Sequence, residues 1–312
     1  MPGYLATAAI PNVERFQPSE NRLNMDVKAS AVHANRQTSD HWTQFSAHRE
    51  RCTSLIVNCI RRWQDNSSIH NSRPAVALLG AGNCNDVDLS ELSGNCSSID
   101  LIDIDESATA SAIHRQGNDH LACVVRSSKS MDLSGIQSVI PQPSSSAALD
   151  RTQINEVAFR LRQLPFETHS FDIVVSCCVL SQLIKSTCNL VEIESESWPL
   201  IATVRLRHLQ NMVDWLEPNG MAILFTDMVS SETCPELTSI SETSLELLQR
   251  KLIEAGNFFS GLNPKMICRL IESGALSSSH EVEVQEVIPP WVWNMGARHY
   301  LVYAVLFALK HA

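Results

Sequence analysis

Ala75-Val-Ala-Leu-Leu-Gly80-Ala-Gly82-Asn-Cys-Asn85-Asp86, followed by Ser98-Ile-Asp-Leu-Ile-Asp103-Ile-Asp105, decides the fold. The order is an apolar strand, a glycine turn, a helix, then a second apolar strand tipped with an acid. Such a unit builds a nucleoside-binding crevice at the carboxyl ends of the strands. Gly80 and Gly82 let the backbone approach a ligand where a Cβ would clash. Asp103, 21 residues beyond Gly82, offers only acceptor oxygens, which suit a ribose diol. Asp105 is better suited to cap the helix that follows. The alternative for this stretch is a plain turn beside a solvated acid, so the downstream pattern has to decide.

Working outward, strands are expected at Ala75–Leu79, Ile99–Ile102, Leu121–Val125, Asp172–Ser176, Met221–Thr226, Val282–Val287 and Tyr300–Leu309. Helices are expected at Asp105–His114, over 151–163, and from Ile201 to Leu216, where Pro218-Asn-Gly220 stops the pattern. Two more helices follow a serine-rich connection, the second with Asn263 as cap and Pro264 in its first turn. Strands alternating with helices imply a doubly wound, mainly parallel sheet. The last two strands have no helix between them, so they form an antiparallel C-terminal hairpin. The sum is an α/β, Rossmann-like sheet of seven strands. Pro141-Gln-Pro-Ser-Ser-Ser-Ala-Ala reads as a surface loop.

Residues 1–38 read as a polar arm with at most one short helix. From Ser39 or Asp40, Trp42, Phe45, Cys52, Leu55, Ile56, Cys59, Ile60 and Trp63 recur at spacings of three and four, an amphipathic stripe. Residues 1–70 are therefore taken as an arm with a helical cap, and 71–312 as the ligand-binding domain. The stripe on the Asp40–Trp63 helix needs a partner surface, and the crevice edge is the nearest candidate, so this helix is expected to lie over the crevice. On that reading, removing residues 1–38 leaves ligand binding nearly intact.

A net charge of −10 disfavours nucleic-acid binding, which needs a basic face. Ten cysteines lack paired zinc spacing, so no metal is expected and a reducing, cytoplasmic setting is the simpler reading. Met1–Ile10 has neither a basic start nor a long apolar run, so no secretory leader is expected. The apolar run Tyr300–Leu309 is far short of the about 20 residues a membrane span requires.

Four blocks now resemble the class I S-adenosylmethionine-dependent methyltransferases of small-molecule type. They are Gly80-Ala-Gly82-Asn-Cys84; Asp103-Ile-Asp105-Glu-Ser-Ala108; Leu164-Pro-Phe166 through Asp172-Ile-Val-Val-Ser176 into Val179-Leu-Ser-Gln-Leu183; and Leu216-Glu-Pro-Asn-Gly220-Met-Ala-Ile-Leu. The resemblance covers roughly residues 71–312. It departs at Leu78, where the family often carries an acid, and at Cys84, where it carries a third glycine, with Gly94 as a candidate to relieve packing. It implies S-adenosylmethionine as cofactor and S-adenosylhomocysteine as product. It also implies cofactor contacts from Gly80, Ala81, Gly82, Asn83, Asn85, Asp103 and Ile104. Asp132 would meet the adenine amino group and Leu133 its ring. Ser181 and Gln182 stand where the family often has paired polar residues.

By position beyond the fourth strand, Ser176, Cys177 and Cys178 are candidate cofactor contacts, with one of them expected to line the pocket by its backbone or small side chain. Trp42, His48 and Arg49 on the N-terminal helix, with Gln182, Trp291 and Trp293, are the candidate substrate contacts. His114, His169, Asp227 and His299 are the candidate general bases, by chain position alone. The expected function is methyl transfer to a small-molecule acceptor, by a monomer or homodimer without membrane or nucleic-acid partners. The alternatives are a cofactor-binding or interaction protein without catalysis, or an NAD-dependent oxidoreductase. The last usually needs glycine at position 85, which is asparagine here.

Overall fold

A computed structural model describes residues 27–66, 72–117, 121–128, 130–140, 148–166, 169–191 and 196–310. The helices are α1 (Val27–Thr38), α2 (Ser46–Asn66), α3 (Leu89–Ser93), α4 (Glu106–Gln116), α5 (Leu121–Val124), α6 (Ile136–Val139), α7 (Arg151–Gln163), α8 (Val179–Cys188), α9 (Trp198–Asp214), α10 (Leu245–Ala255) and α11 (Pro264–Ile271). The strands are β1 (Ala75–Leu79), β2 (Ser98–Ile102), β3 (Val125–Ser127), β4 (Phe171–Cys177), β5 (Leu216–Ser230), β6 (Val282–Asn294) and β7 (His299–Leu309). They form one seven-stranded sheet in the order β3-β2-β1-β4-β5-β7-β6. The first five strands are parallel, and β7 runs antiparallel to both β5 and β6.

Alternation along the strands explains the two buried layers. Val76 and Leu78 enter one core with Ile56, Ile60 and Trp63 of α2. Ala77 and Leu79 enter the other, with Ile154, Leu180 and Val204 of α7, α8 and α9. Successive strand residues point to opposite faces, so one strand serves both cores. Each buried isoleucine contributes about 1.5–3 kcal/mol. The α2 stripe is therefore part of the core, packed against the sheet face. The helix over the crevice is α1 instead. The sequence pattern missed this because α2 has the stronger apolar period. Its first turn also starts later than expected, at Ser46, after turns between Thr38 and Ser46.

Three strands also differ by more than one residue at a boundary. Leu121–Val124 is a single helical turn, and β3 begins only where Val125 pairs with Ile99. β5 starts at Leu216 and runs through Pro218 and Gly220, with a register shift between Phe171 and Ile173 of its neighbour. β6 continues through Pro289 and Pro290 to Asn294, with a register shift between Ile288 and Trp291. Proline lacks the N–H of a ladder bond, and an edge strand at an irregularity tolerates that loss. The expected arm over 1–26 and the Pro141–Ala147 loop lie outside the described residues. No helix among the described residues is long and apolar enough to cross a membrane.

Candidate functional site

The glycine turn after β1 is held open by geometry that only glycine meets. Gly80 has φ +70°, and a Cβ there would lie 2.2 Å from Val179 Cβ at the start of α8. Gly82 has φ +45°, and its Cβ would lie 2.8 Å from Asn35 Oδ1 of α1. Cys84, in the third-glycine place, is buried with φ +49°. Gly94 relieves nothing: its Cβ would meet only Glu91 O, at 3.7 Å.

Asp103 ends β2 beside this turn. Its Oδ2 accepts from the Gly82 amide at 2.9 Å, and its Oδ1 from the Asp105 amide at 2.8 Å. Burial raises its pKa, against those two bonds. Asp105 caps α4, accepting from Ala108 N at 3.2 Å. Burial alone would raise the Asp105 pKa, yet hydrogen bonds from Ser107, Asn35 and Ala108 hold it below the usual carboxylate value. α1 closes over the turn. Asn83 Nδ2 donates to Asn35 O at 2.6 Å and to Thr38 Oγ1 at 3.1 Å, and Asn85 Nδ2 to Thr38 O at 2.8 Å.

A cleft of about 440 Å³ runs along the carboxyl ends of the strands. Gly80, Ala81, Gly82, Asn83, Asn85, Asp103, Ile104, Asp132, Leu133 and Cys178 all line it. Asp132 also caps the turn before α6, its oxygens accepting from Ser134 N and Gln137 N at 2.9 Å. Ser176 and Cys177 do not line the cleft. Ser176 is fully buried and shares a hydrogen bond of 2.8 Å with His208 Nε2 of α9. Cys177 is buried in the α2 core, where burial pushes its thiol well up. Both side chains turn into the protein, whereas Cys178, at φ +50°, begins α8 at the cleft.

The far end of the cleft lies at β5, β7 and β6. From β2 to β5 the sheet takes three steps of about 4.8 Å. Asp227, near the end of β5, is 6% exposed, lines the cleft and accepts a hydrogen bond from Ser181 Oγ of α8. Burial raises its pKa to about 6, against the Ser181 bond. An aromatic wall stands beside it. Phe45 meets Trp293 edge-on at 5.0 Å between ring centroids, Trp293 meets Tyr300 at 5.6 Å, and Tyr300 meets Phe259 at 6.5 Å. All four rings line the cleft.

Of the other candidate bases, none lines this cleft. His114 is exposed near the end of α4. His169 lies just before β4, at the opposite end of the strand, with its ring 4.5 Å from that of Trp215. His299 pairs through its backbone with Ser231. Of the candidate substrate contacts, Gln182 and Trp293 line the cleft; Trp42, His48, Arg49 and Trp291 do not. His48 and Trp291 back the wall. The Trp291 indole donates to His48 Nδ1 at 3.0 Å, and His48 stacks on Trp293 at 4.4 Å. An indole N–H only donates, so His48 Nδ1 is an acceptor and its ring proton sits on Nε2, 3.3 Å from Asp86. Arg49 lies 3.4 Å over the Trp42 ring and donates to Asn85 O at 3.2 Å. Asn35, Thr38, Phe45, Phe259 and Tyr300 had no local signal of site function in the sequence. Among the described residues, no group of three or more metal-ligating side chains is placed to hold an ion.

A scan of protein-family models finds none that matches the chain, and a search of curated proteins finds no match. Solved structures give weak likenesses. A SAM-dependent methyltransferase from Methanosarcina mazei is 14% identical over 76% of this chain and 92% of its own, with a TM-score of 0.40. A TehB-like SAM-dependent methyltransferase from Corynebacterium glutamicum is 13% identical over 87% and 98%, with a TM-score of 0.38. The O-methyltransferase TomG from Streptomyces achromogenes, in complex with SAM, is 11% identical over 92% and 90%, with a TM-score of 0.37. Likenesses this weak leave the sheet order and the cleft as the grounds for a functional reading. The seven-stranded sheet, with five parallel strands and a C-terminal antiparallel hairpin, is the doubly wound, Rossmann-like α/β architecture expected from the sequence.

Proposed function

We propose that the chain is an S-adenosylmethionine-dependent methyltransferase with a small-molecule acceptor. One observation carries the reading: a single cleft joins the glycine turn and Asp103 to a buried carboxylate beside an aromatic wall. The residues present fit the cofactor. The open backbone at Gly80 and Gly82 suits its amino-acid end, Asp103 its ribose, and Ile104, Asp132 and Leu133 its base. A volume of about 440 Å³ falls in the range of small-molecule sites, about 300–1,000 Å³. When bound, the sulfonium supplies an electrophilic methyl group.

The chain's own residues then align, shield and deprotonate. The aromatic wall fixes the acceptor's frame, and near-attack alignment supplies about 7–11 kcal/mol of barrier reduction in favourable cases. α1 excludes water from the glycine end. Asp227 takes the acceptor's proton at its carboxylate, a contribution of about 10²–10⁴-fold. Among the described residues, five carboxylates and two bases line the cleft, which disfavours a polyanionic acceptor such as nucleic acid. We take 71–312 as the cofactor domain, with α1 as its lid, in a cytoplasmic monomer or homodimer. The test is a thermal titration with S-adenosylmethionine, S-adenosylhomocysteine and NAD. The first two, at 100 times Kd, should add about 2.7 kcal/mol of stability. A shift with NAD alone removes the reading.

A further inference from the structure

We infer that the acceptor end of the cleft is built for an amine, bound as a cation on an apolar frame. Asp227 is 6% exposed, and among the described residues no lysine or arginine pairs with it. A carboxylate removed from water needs a countercharge, and here the cleft is where one can arrive. The hydrogen-bond donors to its side chain, the Ser181 hydroxyl and its own backbone amide, are both neutral. The rings beside it, Trp293, Tyr300 and Phe259, add the electron-rich surface that attracts an ammonium.

The cations already present do not fill this role. Arg298 lines the same end but is engaged by Glu232, with a second donor on the Tyr300 hydroxyl at 3.3 Å. Lys185 lies on α8 and is exposed to water. An anionic acceptor would face Asp227, Asp86 and Glu232 across the same cleft. A neutral alcohol would leave Asp227 without a countercharge. An ammonium meets both needs, and Asp227 is placed to take its proton. The inference rests on the proposed methyltransferase reading for the ligand's role as acceptor, not for its charge.

The experiment uses three probes on one frame: 2-phenylethylamine, 2-phenylethanol and 3-phenylpropanoate. Each is titrated into the full chain and followed by tryptophan fluorescence, with and without S-adenosylhomocysteine. The amine should bind about tenfold more tightly than the alcohol, and the carboxylate more weakly than either. Asp227→Asn should erase the amine's advantage and leave the alcohol unchanged. Should that variant fail to fold, Tyr300→Leu should narrow the same advantage. The inference is overturned if the alcohol or carboxylate matches the amine, if no probe binds, or if the advantage survives in the folded variants. Amine binding without any S-adenosylhomocysteine binding would sink the methyltransferase reading and leave this inference standing.

Discussion

At the glycine end of the cleft, Asp103, Asp105 and the side-chain amide nitrogens of Asn83 and Asn85 have partners within the protein, while the buried Asn85 Oδ1 accepts no hydrogen bond among the described residues. Asp103 holds two backbone amides, Asp105 caps α4, and Asn83 and Asn85 reach across to α1. At the β5 end, Asp227 has only neutral donors, Ser181 and its own backbone amide, no lysine or arginine pairs with it among the described residues, and the Trp293–Tyr300 ring pair lines the same part of the cleft. The first end is preorganised: its shape exists before any ligand. The second is chemically unsatisfied, and its countercharge must come from outside. A preorganised end suits a constant cofactor, and an unsatisfied end suits a specific acceptor.

The sharpest way to break the comparison is at Gly80. A side chain there meets Val179 Cβ at 2.2 Å and forces φ +70° on a non-glycine residue. Gly80→Ala should destabilise by about 3 kcal/mol from overpacking and backbone strain. Gly94→Ala, whose Cβ meets nothing nearer than 3.7 Å, should be near neutral. Urea midpoints of the two variants measure the contrast. Equal midpoints would mean that the turn is not shaped as described.

Next comes Asp103. Asp103→Ala should weaken S-adenosylhomocysteine binding by about 1.5–3 kcal/mol, the worth of hydrogen bonds to a charged group. Asp105→Ala should cost the ligand less, because its carboxylate serves α4 and Asn35. Affinities measured by fluorescence or calorimetry decide the order; the reverse order would move the ribose contact to Asp105.

At the other end, the sign of the effect on stability should invert. Burial raises the Asp227 pKa to about 6, above its unfolded value. Its linkage contribution is therefore fully present below the unfolded carboxylate pKa and lost as pH rises through 6. Asp227→Asn should then be more stable than the native chain above pH 6, by on the order of 2 kcal/mol, and the gap should close as pH falls toward 4. Transfer by the native chain should fall as pH drops through 6. Melting curves across that window check it, with His48 and Asp86 as the titratable neighbours. A variant less stable at pH 8 would show that Asp227 is satisfied after all.

The smallest effect concerns α1. Asn83→Ala removes two bonds to that helix and should cost about 1 kcal/mol. Hydrogen exchange should rise over residues 27–38 and not in α2. The same contrast corrects the truncation expected from sequence: removal of 1–38 strips the lid from the glycine turn and should weaken cofactor binding.

The glycine end was legible because it is local. Gly80, Gly82 and Asp103 fall within one strand–turn–strand unit, so spacing alone exposes them. The β5 end was not, because it gathers Phe45, Ser181, Asp227, Phe259, Trp293 and Tyr300 from six separate segments. Only the strand order, with β7 inserted between β5 and β6, brings them together. Asp227 and Trp293 were candidates, but nothing in the chain paired them. The lid was assigned to the wrong helix for a related reason. A strong apolar stripe signals core, whereas α1 touches the cleft through Asn35 and Thr38, which carry no periodic signal.

The most direct test of the account is calorimetric titration of the full chain with S-adenosylmethionine, S-adenosylhomocysteine and NAD in turn. The glycine end predicts saturable heat with the two sulfur compounds, at weakened affinity in Asp103→Ala, and none with NAD. Saturable heat with NAD and none with the sulfonium compound would contradict it.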